Sequence, residues 1–308
     1  MTSDKLQCTV HSLLQVMMKF INPLPSSDLY VYHYTRVDTA LNYILRDGTL
    51  RLNSFAAMND PRENKSWTIA TMIKPSFDLE PKDWDALSEN VSNILKQNVK
   101  MACFSKDRET AVDKWQPDGL LDRGFARPSM WHHYANGHNG VCLMFSIEKL
   151  NVAFCKQVEP DRTFSGTVIY SDDGIILRMG HHPFCIDLTG FANISNLQSD
   201  PRFTIEVNNH LRRWMSELFF TKLKDWSNEE EFRWVYLDDN PQPLPLEFHD
   251  ALEGIIIGEK VSSVHEEAFL KYCVLYKADI AHLEWRNGYP TIVHSGQPYI
   301  THKHLLNP

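Results

Sequence analysis

The chain has 308 residues, 43% hydrophobic and 23% charged, a balance that supports a sizeable globular core and excludes a disordered, fibrous or membrane-embedded chain. Lys and Arg number 31 against 39 Asp and Glu, a formal net charge of -8, so nothing in the bulk charge attracts nucleic acid phosphates or anionic lipid, and a polyanionic target would need a local basic patch. No apolar run approaches the roughly 20 residues of a spanning helix, and the start of the chain lacks a small-residue cleavage site, so neither a membrane span nor a signal peptide is expected.

Residues 5–21 place apolar groups at helical spacing, and Asn22-Pro23-Leu24-Pro25-Ser26-Ser27 breaks the pattern. Residues 1–27 therefore read as an appended helix and linker ahead of a single domain over residues 28–308. Residues 29–34 are aromatic and β-branched enough for a strand, with Leu29, Val31 and His33 on one face and Tyr30, Tyr32 and Tyr34 on the other. Thr35 and Asp38 have capping-box spacing, Val37, Ala40, Leu41 and Ile44 form a helical stripe, and Gly48 supplies the stop. A strand over 49–52 follows, and Asp60 as cap, Pro61 at the first helical position and Glu63 in the first turn predict another helix.

A helix over 84–98 leads to a buried strand over 99–105 that leaves Ser105 at its edge. Ser129 is placed to cap a short helix over 130–135, with Trp131 and Tyr134 projecting from one side, before a strand over 140–145. Residues 146–200 mix strand-like pieces and polar loops in no readable order. A long amphipathic helix is expected over 203–220, with Leu211, Trp214, Met215, Leu218 and Phe219 facing the core. Beyond the proline-rich turn at 241–245 come a buried strand over 254–258, a helix, and one or two closing strands through Trp285 and Ile292. The irregular interleaving of strands and helices favours an α+β fold over a doubly wound sheet. The cysteines, Cys8, Cys103, Cys142, Cys155, Cys185 and Cys273, form no close pairs, the pattern of free thiols in a reducing cytoplasm.

Residues 222–236 are the most informative. Read as a strand, residues 229–236 set Glu229, Glu231 and Arg233 on one face and Phe232, Trp234 and Tyr236, which belong to the core, on the other. The polar face has two readings. It is a solvated surface on which Arg233 pairs with a carboxylate, or a cleft in which one glutamate stabilises a cation developing at an anomeric carbon while the other positions a nucleophile. His33 is either a hydrogen-bonded core histidine or a ligand contact. Trp131 and Tyr134 are core or stacking platforms, and Asp60 is a cap or a catalyst. His132, His133, His138, His181 and His182 have no His-Glu-x-x-His or paired-cysteine frame around them, so no metal is expected. No Gly-x-Gly-x-x-Gly, Walker loop or Gly-x-Ser-x-Gly elbow is present, which weighs against Rossmann, P-loop and α/β-hydrolase folds.

Five motifs occur in order: Tyr32-His33-Tyr34-Thr35, Asn59-Asp60-Pro61-x-Glu63, Cys103-Phe104-Ser105, Met130-Trp131-x-x-Tyr134-Ala135, and Lys222 with Trp226, Glu229, Glu231 and Arg233. Over roughly residues 29–258 this order resembles the bacterial domain-of-unknown-function family numbered twenty-nine seventy-one, which is in turn similar to the ADP-ribosyltransferase superfamily. The resemblance implies an ADP-ribosyltransferase-like domain, with split β-sheets and flanking helices around one cleft, and NAD as substrate. It implies Glu231 and Glu229 as catalytic residues, Glu231 holding the nicotinamide-ribose 2′-hydroxyl and stabilising the oxocarbenium ion, Glu229 orienting the acceptor. His33, Tyr34, Thr35, Ser105, Trp131, Tyr134 and Arg233 would bind the cofactor, with His33 on the ribose and Tyr34, Trp131 or Tyr134 stacking on nicotinamide. The expected activity is NAD-dependent ADP-ribosyl transfer to a protein or nucleic-acid acceptor in the cytoplasm, in a toxin or defence setting. The alternatives are an NAD glycohydrolase, a non-catalytic nucleotide-binding module and, more weakly, a nuclease.

Overall fold

The aromatic, β-branched run after residue 29 forms strand β1 (Tyr30–Arg36) in the computed structural model, which describes residues 29–74, 81–108, 120–173, 182–191, 197, 200–294 and 297–298. The helix and linker expected over residues 1–27 lie outside the described residues. The further strands are β2 (Thr49–Ser54), β3 (Ala70–Met72), β4 (Val99–Lys106), β5 (Gly140–Ser146), β6 (Thr163–Thr167), β7 (Ile169–Tyr170), β8 (Cys185–Asp187), β9 (Thr221–Lys222), β10 (Glu231–Leu237), β11 (Leu244–Glu247), β12 (Leu252–Gly258), β13 (Asp279–Arg286), β14 (Tyr289–His294) and β15 (Gln297–Pro298). Eleven of these make one large sheet, and β3 with β8 and β7 with β9 make two small ones. With its flanking helices the fold is mixed α+β, as the interleaved pattern predicts. Among the described residues no helix is long and apolar enough to cross a membrane.

The large sheet is divided, and the division follows from how β4 shares its edges. β10 takes one edge along its whole length, from Glu231 opposite Ser105 to Leu237 opposite Val99. β1 and β2 must then share the other edge. β1 pairs there only through Val31 with Lys106 and Tyr32 with Ser105, and β2 only through Asn53 with Met101 and Ser54 with Lys100. Between them residues 102–104 have no strand partner on that edge. From His33 onward β1 leaves β4 while keeping its full pairing with β5. The sheet therefore opens into two leaves, one containing β2, β4, β10 and β6, the other β1, β5, β12 and β13.

Directly paired residues project to the same side, so the register fixes which side chains meet. Phe104, Phe232, Trp234, Val31 and His33 project to one face. There Val31, Phe104, Phe145, Phe154 and Trp234 form the largest apolar cluster, which helix Ile147–Cys155 and helix Ser263–Tyr276 cover through Leu150, Phe154, Phe269 and Cys273. Tyr32, Ser105, Glu231, Cys103 and Arg233 project to the opposite face. That face carries two clusters, one on each leaf. Met101 and Val235 pack with Leu87, Val91 and Leu95 of helix Pro81–Gln97 and with Val207 and Leu211 of helix Pro201–Arg213. Tyr32, Tyr34, Cys142 and Met144 pack with Phe125, Met130 and Trp131.

Local expectations fare unevenly. Gly48 ends its helix in the left-handed region at φ 66, and the Asp60 carboxylate accepts the Arg62 N–H to cap helix Pro61–Asn64. Thr35 does not cap. It is paired in β1, Arg36 occupies the cap position, and the helix it precedes contains a π-turn at Ala40–Ile44. The short helix begins at Pro128 rather than at a Ser129 cap, since the proline ring presets the first helical φ. The single helix expected over 203–220 is two, Pro201–Arg213 and Met215–Phe219, broken at Trp214, whose ψ of 21 leaves the helical region. No proline or glycine causes the break, and the Phe219 carbonyl, at the end of the second helix, accepts from the Arg233 guanidinium.

Glycine at position 140 lets the second leaf start where it does. A Cβ there would stand 2.5 Å from the Thr35 carbonyl oxygen and 2.8 Å from Ala135 backbone atoms, none of which can yield. Gly140→Ala should lower stability by roughly 1–3 kcal/mol through overpacking, read as a shift in the urea midpoint at unchanged slope.

Candidate active site at the split of the sheet

The gap between β1 and β2 opens a cleft of about 760 Å3, within the size range of small-molecule sites. His33 guards it at the point where β1 departs. Its Nδ1 lies 3.2 Å from the Cys103 carbonyl, in the stretch of β4 that no strand pairs on that edge, and its ring meets Phe104 edge-on at 5.8 Å. A carbonyl only accepts, so Nδ1 carries the proton. Burial lowers the His33 pKa against the opposing effect of the Cys103 carbonyl, which leaves a neutral ring with Nε2 free to accept.

Opposite, a compact set of buried charges forms where the two clusters of the other face meet. Arg233 on β10 is fully buried. Its Nε donates to Glu231 Oε1 at 2.7 Å, Nη2 donates to Glu231 Oε2 at 3.0 Å and to the Glu63 carboxylate, and Nη1 donates to the Phe219 carbonyl at 2.6 Å. Lys222 bridges from the other side, 2.8 Å from Glu229 Oε2 and 3.0 Å from Glu231 Oε2, with its ammonium 4.9 Å from the Trp226 ring centroid. Tyr134 donates to Glu229 Oε1 at 2.7 Å. Three carboxylates thus share two cations.

Backbone conformation aims these groups. The acidic segment was expected as one strand with Glu229 and Glu231 on a common face; instead Lys224–Glu229 winds into a 3-10 helix and Glu230 turns at φ 44, so β10 begins only at Glu231. The reason is local pairing. Ser105 Oγ donates to the Glu229 carbonyl at 2.6 Å and the Glu231 N–H donates to Tyr170 Oη at 2.8 Å, which fastens the turn from both sides. Glu229 and Glu231 converge on Lys222 through this turn rather than through strand alternation.

Electrostatics keep Glu231 charged. Burial alone would raise its pKa, but Arg233 and Lys222 more than reverse that and hold it at about 2. Burial lowers and the carboxylates of Glu231, Glu63 and Glu229 then raise the Lys222 pKa well above its ordinary value. Glu63 shifts the other way: burial raises its pKa more than Arg233 and Lys222 lower it. The guanidinium therefore favours Glu231, which takes two of its donor bonds against the single bond of Glu63.

Of the residues that the sequence marks out, His33, Tyr34, Ser105, Tyr134, Glu229 and Glu231 line the cleft. Tyr34 donates to the Gly124 carbonyl at 2.6 Å and meets Trp131 edge-on. Thr35, Trp131 and Arg233 are not among the lining residues. Thr35 is buried in the pairing of β1 with β5; Trp131 is fully buried, donates to the Phe125 carbonyl at 2.7 Å and stacks on His138; Arg233 stands behind Glu231. Lys222, Trp226, Glu63 and Asp60 also line the cleft. All four belong to the ordered motifs; the sequence alone weighs Asp60 as a cap or a catalyst and gives Lys222, Trp226 and Glu63 no place in a binding site. Tyr170 falls in the stretch that shows no periodicity.

Residues 130–234 match the model of a family described as a protein of unknown function (DUF2971). The match includes Tyr134, Lys222, Trp226, Glu229, Glu231 and Arg233 and begins after His33, Asp60 and Glu63. No curated protein and no solved structure matches the chain.

Removing Arg233 would leave Glu231 and Glu63 buried with too little positive charge. Arg233→Met should cost about 3–5 kcal/mol of stability, and Arg233→Lys should recover little, since one ammonium cannot replace the forked donors. The Glu231 contribution has a pH signature. Its folded pKa of about 2 lies below the unfolded 4.5, so its stabilisation is complete above about pH 4.5 and is lost as pH falls toward 2. Urea unfolding should show the gap between wild type and Glu231→Gln narrowing across that window.

Proposed function

We propose that the cleft binds NAD and that Glu231 stabilises the positive charge that develops on the nicotinamide ribose as nicotinamide departs, giving ADP-ribosyl transfer. The observation that carries this reading is one carboxylate on the cleft wall, gripped by Arg233 and Lys222, which hold it ionised at neutral pH. In the reaction the bond from ribose C1′ to the pyridinium nitrogen breaks. Its electron pair neutralises nicotinamide, positive charge spreads over C1′ and the ring oxygen, and an acceptor lone pair then bonds to C1′ as the acceptor loses its proton. A fixed anion beside that carbon favours the cationic transition state over the neutral-ribose ground state.

Other features support the same reading. The cleft volume suits a dinucleotide. The neutral His33 offers Nε2 as an acceptor for a ribose hydroxyl, and the Tyr134 and Trp226 rings line the Glu231 side. The motif order resembles a family similar to ADP-ribosyltransferases, and the family match covers the segment that carries both glutamates.

One observation favours water as the acceptor. Glu229 is fixed on both oxygens, Oε1 by Tyr134 and Oε2 by Lys222, so it is not free to turn toward an incoming side chain. Hydrolysis of NAD needs no such base, because an oxocarbenium ion reacts readily with neutral water.

The test is nicotinamide release from NAD by the purified chain, with a lysate present in a parallel arm. Wild type should release nicotinamide and Glu231→Gln should be slower by roughly 100- to 1,000-fold. Label carried onto macromolecules identifies transfer, and free ADP-ribose alone identifies hydrolysis. No release by wild type in either arm, or equal release by both proteins, defeats the proposal.

A further inference from the structure

Asp60 is buried at 2% exposure and lines the cleft. One of its carboxylate oxygens is explained: Oδ1 accepts the Arg62 N–H at 2.9 Å and caps helix Pro61–Asn64. The other is not. Oδ2 is buried and, among the described residues, has no hydrogen-bond partner. A cap requires a single acceptor, which Ser, Thr or Asn supplies equally well, and an unmade bond on a buried carboxylate is costly. Capping therefore accounts for an oxygen at this position but not for a second, unsatisfied one.

Charge in the cleft indicates what satisfies it. Lys222 and Arg233 are already bound to Glu63, Glu229 and Glu231. Asp60 stands in the same cleft, with Arg62 acting on it and on Glu63 as a nearby charge but making no hydrogen bond to Oδ2. The occupant of this wall must bring hydrogen-bond donors or positive charge. Asp60 is also tied mechanically to the glutamate at the centre of the site. It caps the turn from which Glu63 reaches the Arg233 guanidinium, and that guanidinium grips Glu231.

We infer that Asp60 is a binding residue, with Oδ2 accepting a hydrogen bond from the nicotinamide riboside half of the ligand. This rests on the NAD reading given above. The positive charge of NAD lies on its nicotinamide ring, and the carboxamide amino group and ribose hydroxyls beside it are donors, so this half matches the acidic wall. Each half of NAD carries one phosphate, but the adenylate half has no positive charge to set against the acidic wall.

The two halves of NAD separate the outcomes. Asp60→Asn keeps an acceptor for Arg62 and is an equally good cap, but puts a donor where Oδ2 stands. Titration calorimetry of wild type and variant with NAD, nicotinamide mononucleotide and AMP should show NAD and nicotinamide mononucleotide binding at least tenfold more weakly to the variant, with AMP unchanged and the ligand-free melting temperature kept. If the variant melts early, Asp60→Ser, which also retains one acceptor, replaces it in the same comparison. Undiminished binding of NAD by the substituted protein, or an equal loss for AMP, overturns the role of Asp60 while leaving the NAD reading intact. A wild type that does not bind NAD overturns that reading and this inference together.

Discussion

A guanidinium with no contact with water holds this site in place. Arg233 places donors on two carboxylates and a main-chain oxygen from three different segments: Glu231 of its own strand, Glu63 of a short helix and Phe219 at the end of another. Only a planar fork with several fixed donors can meet three acceptors in that arrangement. Desolvating such a group is costly, and a well-packed apolar set of similar volume would serve stability as well or better. A buried cluster of three glutamates and two cations is therefore better explained by what it presents to the cleft than by what it adds to folding.

The sheet supplies the place to present it. β4 pairs with β10 along one edge and divides its other edge between β1 and β2, so strand divergence makes the opening without an inserted loop. On one side of the opening, β1 of the second leaf sends His33 toward an unpaired carbonyl of β4. On the other, β10 and its preceding turn send Glu231 and Glu229 toward Lys222. His33 and Glu231 project to opposite faces of the sheet, yet both line the cleft because the gap joins those faces. The apolar clusters on each leaf keep the edges rigid around it.

Much of this is legible in the sequence, and the part that is not has physical causes. Strands with strong patterning, such as β1, β4, β5 and β12, occur within a few residues of where alternation or apolar runs put them. The Asp60-Pro61 start is readable because capping is a local interaction. Glu229 and Glu231 lie two apart, which alternation turns into one strand face; the left-handed Glu230 that separates them depends on Ser105 and Tyr170, remote in the chain, and no local pattern encodes it. Helix 203–220 breaks at Trp214 with neither proline nor glycine there, so no local signal marks the break. Arg233 is the clearest lesson. Its place in a polar alternation suggests an exposed or cleft-facing side chain, whereas burial behind Glu231 requires a partner 170 positions away, Glu63.

Two buried cations keep Glu231 ionised on the wall of the cleft. The most direct measurement is an NMR titration of the Glu231 side-chain carboxyl carbon in the folded protein, assigned by comparison with Glu231→Gln. The chemical shift should stay at its carboxylate value from neutral pH down to the acid limit of the folded state, consistent with a pKa of about 2. A midpoint near the ordinary 4.5 would contradict it, because Arg233 and Lys222 would then not be holding the charge.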